Sequence, residues 1–359
     1  MLPAYNQELS AESSAFSLSP VSLKLLLKRG ALLAAANWPA VAIQFVAETT
    51  FQVLLAVPLV GAAILVAVLV GADLGDLLQG GARDIALRIA GALASEPTAL
   101  VSFGVAFGIA LTAGSVLMFL VKGGTLDVLL AAHESAGDIE RQPITIETIA
   151  PAVCFTLPRF IRGCTRLFRS YAVLGLALTV AHAVSGVAYL AFLIYGYRAV
   201  AGLLDVLGWT VIAAVAATAV IVWITLVNCV YLLMQIAMAA DNLGFADACR
   251  AVGRFIRAEF RALTRMFLII LGLVVGATLV SALAWSGVGL IAFVPLVGLA
   301  VIPLQIAALI VRGLAFEYIG LAAAGAYLTL YRREPRTVAR PRAVMVQSLG
   351  SSGTGSAAG

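Results

Sequence analysis

The chain has 359 residues, of which 62% are hydrophobic and 11% charged, and its mean hydropathy is +1.05. Soluble domains carry about 25% charged residues, so the composition excludes a water-soluble enzyme or binding domain and places the chain in lipid. The formal net charge of +5 asks for an anionic partner, and where the charges lie decides which one.

Residues 1–20 are polar, lack Lys and Arg, and lack the charged start and short apolar core of a cleavable signal. They are expected to be a disordered N-terminus, with the first span inserting uncleaved. The membrane domain is expected over 21–331, followed by a disordered tail, basic and then Gly/Ser-rich, over 332–359.

"LKLLLKRG", Leu23 to Gly30, opens that domain as a short basic segment. Six apolar stretches then follow, at 45–71, 98–121, 171–195, 207–238, 267–290 and 308–331, each long enough to cross a hydrocarbon core of about 30 Å as a helix. Backbone groups in lipid must bond within the segment, and runs rich in Ala, Leu, Val and Gly do so as helices. The expected fold is all-α, a polytopic helix bundle of six spans in three hairpins with amphipathic basic cytoplasmic helices. The stretch 291–307, broken by Pro295 and Pro303, is expected to be a re-entrant or interfacial elbow.

Nineteen of the 23 Lys and Arg lie before the first span, in loops 122–170 and 239–266, and after 331; only Arg83, Arg88, Arg198 and Arg312 lie elsewhere. The positive-inside rule then predicts that both termini are cytoplasmic.

Two of the basic loops share words. "RFIR" at Arg159–Arg162 is followed by "TRLF", and "RFIR" at Arg254–Arg257 by "TRMF". On a helix, Arg159, Arg162, Arg166 and Arg169 fall within about 80° of one another. So do Arg250, Arg254, Arg257, Arg261 and Arg265. Opposite the second set lie Val252, Phe255, Ile256, Phe260 and Leu263, so 244–265 reads as an amphipathic helix for the headgroup layer. Leu23–Gly30 reads as a degenerate third copy, which makes the repeating unit a basic helix followed by a two-span hairpin.

"AADNLGFADACRAVGRFIRAEFRALTRMF" at Ala239–Phe267, "GTLDVLLAAHE" at Gly124–Glu134 with "RQPITIETIAP" after it, and "YLTLYRRE" at Tyr327–Glu334 carry a resemblance. They resemble bacterial six-span proteins related to the membrane domain that precedes some glycerophosphoryl diester phosphodiesterases. Asp241 stands where that pattern usually has Glu, and Val252 where a polar residue is common. The resemblance implies a six-span architecture in a bacterial cytoplasmic membrane. The phosphodiesterase chemistry of that family sits in a separate soluble barrel, for which this chain has no room, so no catalytic residue is implied.

Other polar features are few. "HESAG" at His133–Gly137 starts like a zinc-binding helix but has Gly137 where the second histidine belongs. Cys154, Cys164, Cys229 and Cys249 show no paired spacing and read as free thiols. Neither metal nor cofactor is expected. Asp73, Asp76, Asp84 and Glu96 read as a solvated external loop. Gly104 with Gly108 and Gly272 with Gly276 have the spacing of close helix packing within the monomer. At expected membrane depth lie Glu48 with Gln44, His182 with Ser185, Asn228, Gln235, Arg312 and Glu317, which normally face protein or water because charge in lipid is costly.

Two readings follow. In the first the chain is a non-enzymatic membrane protein whose arginines bind anionic lipid headgroups, each worth on the order of 1 kcal/mol near the surface, or recruit a membrane or cytoplasmic protein partner. In the second it is a small transporter or lipid translocator with a polar path near Glu317. Nucleic acid is not an expected partner, since there is no basic domain or aromatic platform.

Overall fold

The structure is a computed structural model and describes residues 23–69, 97–200, 206–292 and 297–333. Among the described residues every regular element is helical. In chain order they are α1 (Leu23–Ala36), α2 (Trp38–Leu69), α3 (Pro97–Ser135), the single turn α4 (Ile146–Ile149) with a 3-10 turn at Ala150–Ala152, α5 (Leu157–Val200), α6 (Val206–Asp241), α7 (Phe245–Ala258), α8 (Phe260–Ala292) and α9 (Val297–Arg333). Six of them, α2, α3, α5, α6, α8 and α9, are long and apolar enough to cross a membrane. They pack as three hairpins, α2 with α3, α5 with α6 and α8 with α9.

Local chemistry sets the breaks. Pro39 lacks the N–H that would bond Ala35, so α1 stops at Ala36 and α2 begins at Trp38. Beyond α3, Gly137 adopts φ 56°, and beyond α6, Asn242 adopts φ 51°, the left-handed turn that Gly and Asn tolerate best. At Glu259 the backbone departs to φ −111°, yet the bonds Glu259 N–H to Phe255 O and Leu263 N–H to Glu259 O, both 2.9 Å, carry the ladder through. The expected helix over 244–265 is therefore α7 and the start of α8, bent at Glu259.

Where the sequence suggests an elbow over 291–307, residues 291–292 and 297–307 are helical. Ile291 and Ala292 end α8, and α9 runs from Val297 with Pro303 inside it; residues 293–296 lie outside the described residues. A helix keeps nearly every backbone bond that an elbow in lipid would lose, which outweighs the one donor Pro303 lacks. The expected acidic loop, the N-terminus 1–20 and the tail beyond Arg333 also lie outside the described residues.

Length separates the molecule into two zones. Helix α5 has 44 residues and α3 has 39, so they run about 66 and 58 Å at 1.5 Å per residue, well beyond a core of about 30 Å. Exposed apolar residues run continuously along one part of each hairpin, for example Val101 to Val116 on α3, Val173 to Tyr197 on α5 and Leu268 to Leu283 on α8. Toward the end that carries Leu23 and Arg333, here the base, the same helices bury many of their apolar side chains against one another, although Trp38, Leu157 and Ile161 stay exposed. The main core, with Leu26, Leu33, Leu129, Tyr171, Leu233, Ile236, Phe255 and Leu328, lies there. Lipid can solvate apolar side chains in the first zone, whereas water at the base forces them inward.

Close helix approach also belongs to the base and its margin. A Cβ at Gly30 would strike the backbone of Ala322 and Ala326, so α1 lies directly on α9. Gly123 and Gly124 meet Gly163 and Cys164 between α3 and α5. The glycines expected to pack, Gly104, Gly108, Gly272 and Gly276, have nothing within 4 Å of where a Cβ would stand. The spacing is present, but those faces of α3 and α8 meet no other helix of the monomer among the described residues.

Candidate functional site

The second arginine set sits on α7 and the start of α8. Arg250, Arg254, Arg257, Arg261 and Arg265 are all exposed, while Ala248, Val252, Phe255, Leu263 and Met266 are buried. Phe255 meets Tyr331 of α9 edge-on at 5.3 Å between ring centroids. The apolar side thus packs on the protein's own core and leaves the arginines facing out. Phe260, expected on the apolar side, is exposed because the bend at Glu259 turns it away. Arg250 pairs with Asp247 at 2.9 Å, both exposed. Cys249 Sγ reaches Met234 Sδ at 3.9 Å, four residues past Val230, the last exposed large apolar residue of α6. The start of α7 therefore lies about 6 Å along α6 from the edge of the apolar zone.

The first set behaves differently. Arg159, Arg162, Arg166 and Arg169 lie in α5 itself, which continues unbroken into its span. Arg159 donates to Cys154 O at 3.1 Å and Arg166 pairs with Asp127 of α3 at 2.7 Å. Arg162 and Arg169 are exposed. Half of this set ties the loop and α3 to α5, and half faces out.

The third segment departs most from its expected surface role. Arg29 of α1 is 7% exposed and sits over Glu140, itself 3% exposed. Arg29 Nη1 donates to Glu140 Oε2 at 2.7 Å and to Gly137 O at 2.5 Å, Nη2 to His133 O at 3.0 Å, and Nε to His133 Nδ1 at 3.3 Å. The last bond makes Nδ1 an acceptor, so the ring is neutral. Arg333 at the end of α9 reaches the other Glu140 oxygen at 3.4 Å, and Arg332 reaches Glu134 at 3.2 Å. Burial alone would raise the Glu140 carboxyl, but the bond from its own backbone N–H, the bond from Arg29, and the charges of Arg29 and Arg333 together hold it below its ordinary value.

Asn37 completes this clasp. It is fully buried, and its Nδ2 donates to Leu33 O and to Ala152 O at 3.0 and 2.9 Å. Its Oδ1 accepts from Cys154 N–H at 3.0 Å. Segment 136–156 is thus fastened across the base at Glu140 and again at Ala152–Cys154, both times by α1 or its exit. A signal for this was present: Leu26, Arg29, Gly30, Leu33 and Asn37 share one face at spacings of three and four, so Arg29 and Asn37 stand on the apolar stripe.

The polar residues of the spans do not gather into one site. His182 Nδ1 donates to Leu178 O at 2.8 Å, and Ser185 accepts from Trp223 Nε1 at 3.0 Å. Asn228 is exposed, and Arg312 is exposed with its guanidinium 5.7 Å from the centroid of the Phe316 ring. Gln235 is buried; its backbone O accepts the Tyr171 hydroxyl at 2.9 Å, and its Nε2 has no partner. Glu317 does have company: Gln44 and Glu48 of α2 and Lys122 of α3 are its neighbours. All four cysteines are free, and no group of His, Cys, Asp and Glu among the described residues could hold a metal.

Six apolar helices and a water-facing base define an integral, multi-pass membrane protein. Comparison with protein-family models, with curated proteins and with solved structures gives no match.

Proposed function

We propose that this is a non-enzymatic membrane protein that binds anionic phospholipid headgroups at its base, with both termini on the cytoplasmic side of a bacterial cytoplasmic membrane. One observation carries the reading. Five arginines on α7 and α8 all face outward while the apolar side of the same helices is engaged in the core, so the charges are held rigidly at the margin of the apolar zone. Preformed placement reduces the ordering cost of binding, and each arginine adds attraction to an anionic surface. The charge split between loops supports the orientation. The chain's resemblance to six-span bacterial proteins supports the compartment.

The test is lipid retention. The full-length protein purified in mild detergent and titrated with phosphatidylglycerol should retain it, as read by native mass spectrometry, and Arg254→Gln, Arg257→Gln and Arg261→Gln together should reduce that retention several-fold. Equal retention by the wild type and the triple variant overturns the proposal.

Recruitment of a protein partner is a second use of the same base. Its support is the pair Ile144 and Ile146, exposed on the water-facing loop, Ile146 to 89%. Crosslinking from position 146 in cells tests it, with loss of every adduct as the contrary result.

A further inference from the structure

The cluster around Glu317 joins three helices. Phe45 of α2 fills the space over Gly313 of α9, and Phe51 of α2 the space over Gly114 of α3, so the three are pinned together on either side of Glu48. Gln44 is buried, and Glu48, Lys122 and Glu317 are each half-buried. Despite being neighbours, Lys122 forms no ion pair with either glutamate; the ion pairs among the described residues all lie elsewhere. One cation and two carboxylates thus share this junction of three helices without a direct ion pair, Glu317 bonded to Gln44 and Glu48 accepting from Gln52 Nε2 at 3.4 Å.

Depth is the second observation. On α3 the exposed apolar run ends at Val116, six residues before Lys122, and on α9 at Val311, six residues before Glu317. Six residues are about 9 Å of helix. On α2, apart from Trp38 at its first residue, the exposed apolar run begins at Val46, two residues before Glu48. The cluster straddles the base-side edge of the apolar zone, where phospholipid headgroups lie, and not its centre as the sequence alone suggests.

We propose that Lys122, Glu48, Glu317 and Gln44 form a binding site for a phospholipid headgroup that carries a phosphate and a primary ammonium, as phosphatidylethanolamine does. Lys122 supplies the charge for the phosphate, the two carboxylates supply acceptors for the ammonium, and buried Gln44, whose side chain bonds Glu317, holds that carboxylate in place. A simple anion would face two carboxylates and a simple cation would face Lys122; a headgroup with both signs in short reach satisfies all three. This site is separate from the arginines of α7 and α8 and does not depend on their role.

The experiment uses the full-length protein in detergent with equal concentrations of phosphatidylethanolamine, phosphatidylglycerol and N-acetylated phosphatidylethanolamine, which keeps the phosphate and loses the ammonium. In the Arg254→Gln, Arg257→Gln, Arg261→Gln background, where those arginines cannot hold the anionic N-acetylated lipid, native mass spectrometry should show phosphatidylethanolamine retained several-fold over it. Glu48→Gln with Glu317→Gln should abolish that preference, and Lys122→Gln should weaken retention of phosphatidylethanolamine. The same background should lose phosphatidylglycerol. Failure of that background to discriminate the acetylated from the free amine overturns the proposal, and so does discrimination that survives the double glutamine change.

Discussion

Arg29 and Glu140, 111 residues apart in the chain, meet in a buried ion pair at 2.7 Å with side-chain exposures of 8% and 2%. Removing Arg29 leaves Glu140 buried with only the longer contact from Arg333 at 3.4 Å, and breaking a buried pair costs up to about 3–5 kcal/mol. Arg29→Met should therefore lower the thermal unfolding midpoint in detergent strongly. Arg29→Met with Glu140→Leu should recover part of the loss, because the orphaned carboxylate is gone. A midpoint unchanged by the single substitution counts against the clasp.

The same pair predicts acid sensitivity. Glu140 is held below its ordinary value of 4.5, so the unfolded chain binds its proton at a higher pH than the native one does. Its contribution to stability is complete above the ordinary value, declines as pH falls below it, and is lost once pH passes through the lowered native value. Unfolding midpoints measured from neutral pH downward should fall in that window in the wild type and fall less steeply in Glu140→Gln. Parallel curves for the two proteins would contradict this account.

These two residues also mark where the sequence stops being legible. The six spans follow from length and hydropathy, and the positions of Lys and Arg support the proposed orientation. Which charges are buried does not follow, because Arg29 and Arg254 look alike in a count of basic residues. Only the apolar register around Arg29 separates them, and its partner lies in "SAGDIERQ", where Glu140 has no periodic context. The two basic sets were legible as stripes; that Arg166 turns to Asp127 was not, since the pairing depends on the Gly123–Gly163 approach of α3 to α5.

That pairing divides the first set. Arg166→Gln breaks a half-exposed ion pair with Asp127 and should lower stability modestly, by about 0–1 kcal/mol, while leaving phosphatidylglycerol retention near the wild-type level. Arg162→Gln with Arg169→Gln removes two outward charges and should do the reverse. Equal lipid losses from the two variants would mean that exposure does not sort these arginines.

Orientation has a direct chemical test at the base loop. In a background with all four cysteines replaced by serine, a cysteine at Ile146, 89% exposed, should react with an impermeant thiol reagent only after the cells are opened. One at Gly80, between the first two spans in the sequence, should react in intact cells once any outer barrier is breached. Reaction at position 146 from outside would overturn the proposed sidedness.

The glycines offer the sharpest contrast between spacing and structure. A Cβ at Gly30 runs into the backbone of Ala322 and Ala326, and backbone cannot move aside as a flexible side chain can. Gly30→Ala must push α1 off α9, and with it Arg29 off Glu140, at a cost in the range of about 1–3 kcal/mol for an overpacked core. Gly104→Ala and Gly108→Ala meet nothing within 4 Å, and exchanging Gly for Ala inside a helix gains about 0.5–1 kcal/mol each. The unfolding midpoint should therefore fall for Gly30→Ala and hold or rise for the pair on α3. If the α3 pair lost stability while Gly30→Ala did not, close packing would belong to the GxxxG spacing after all, and the α1–α9 seam would not hold the base together.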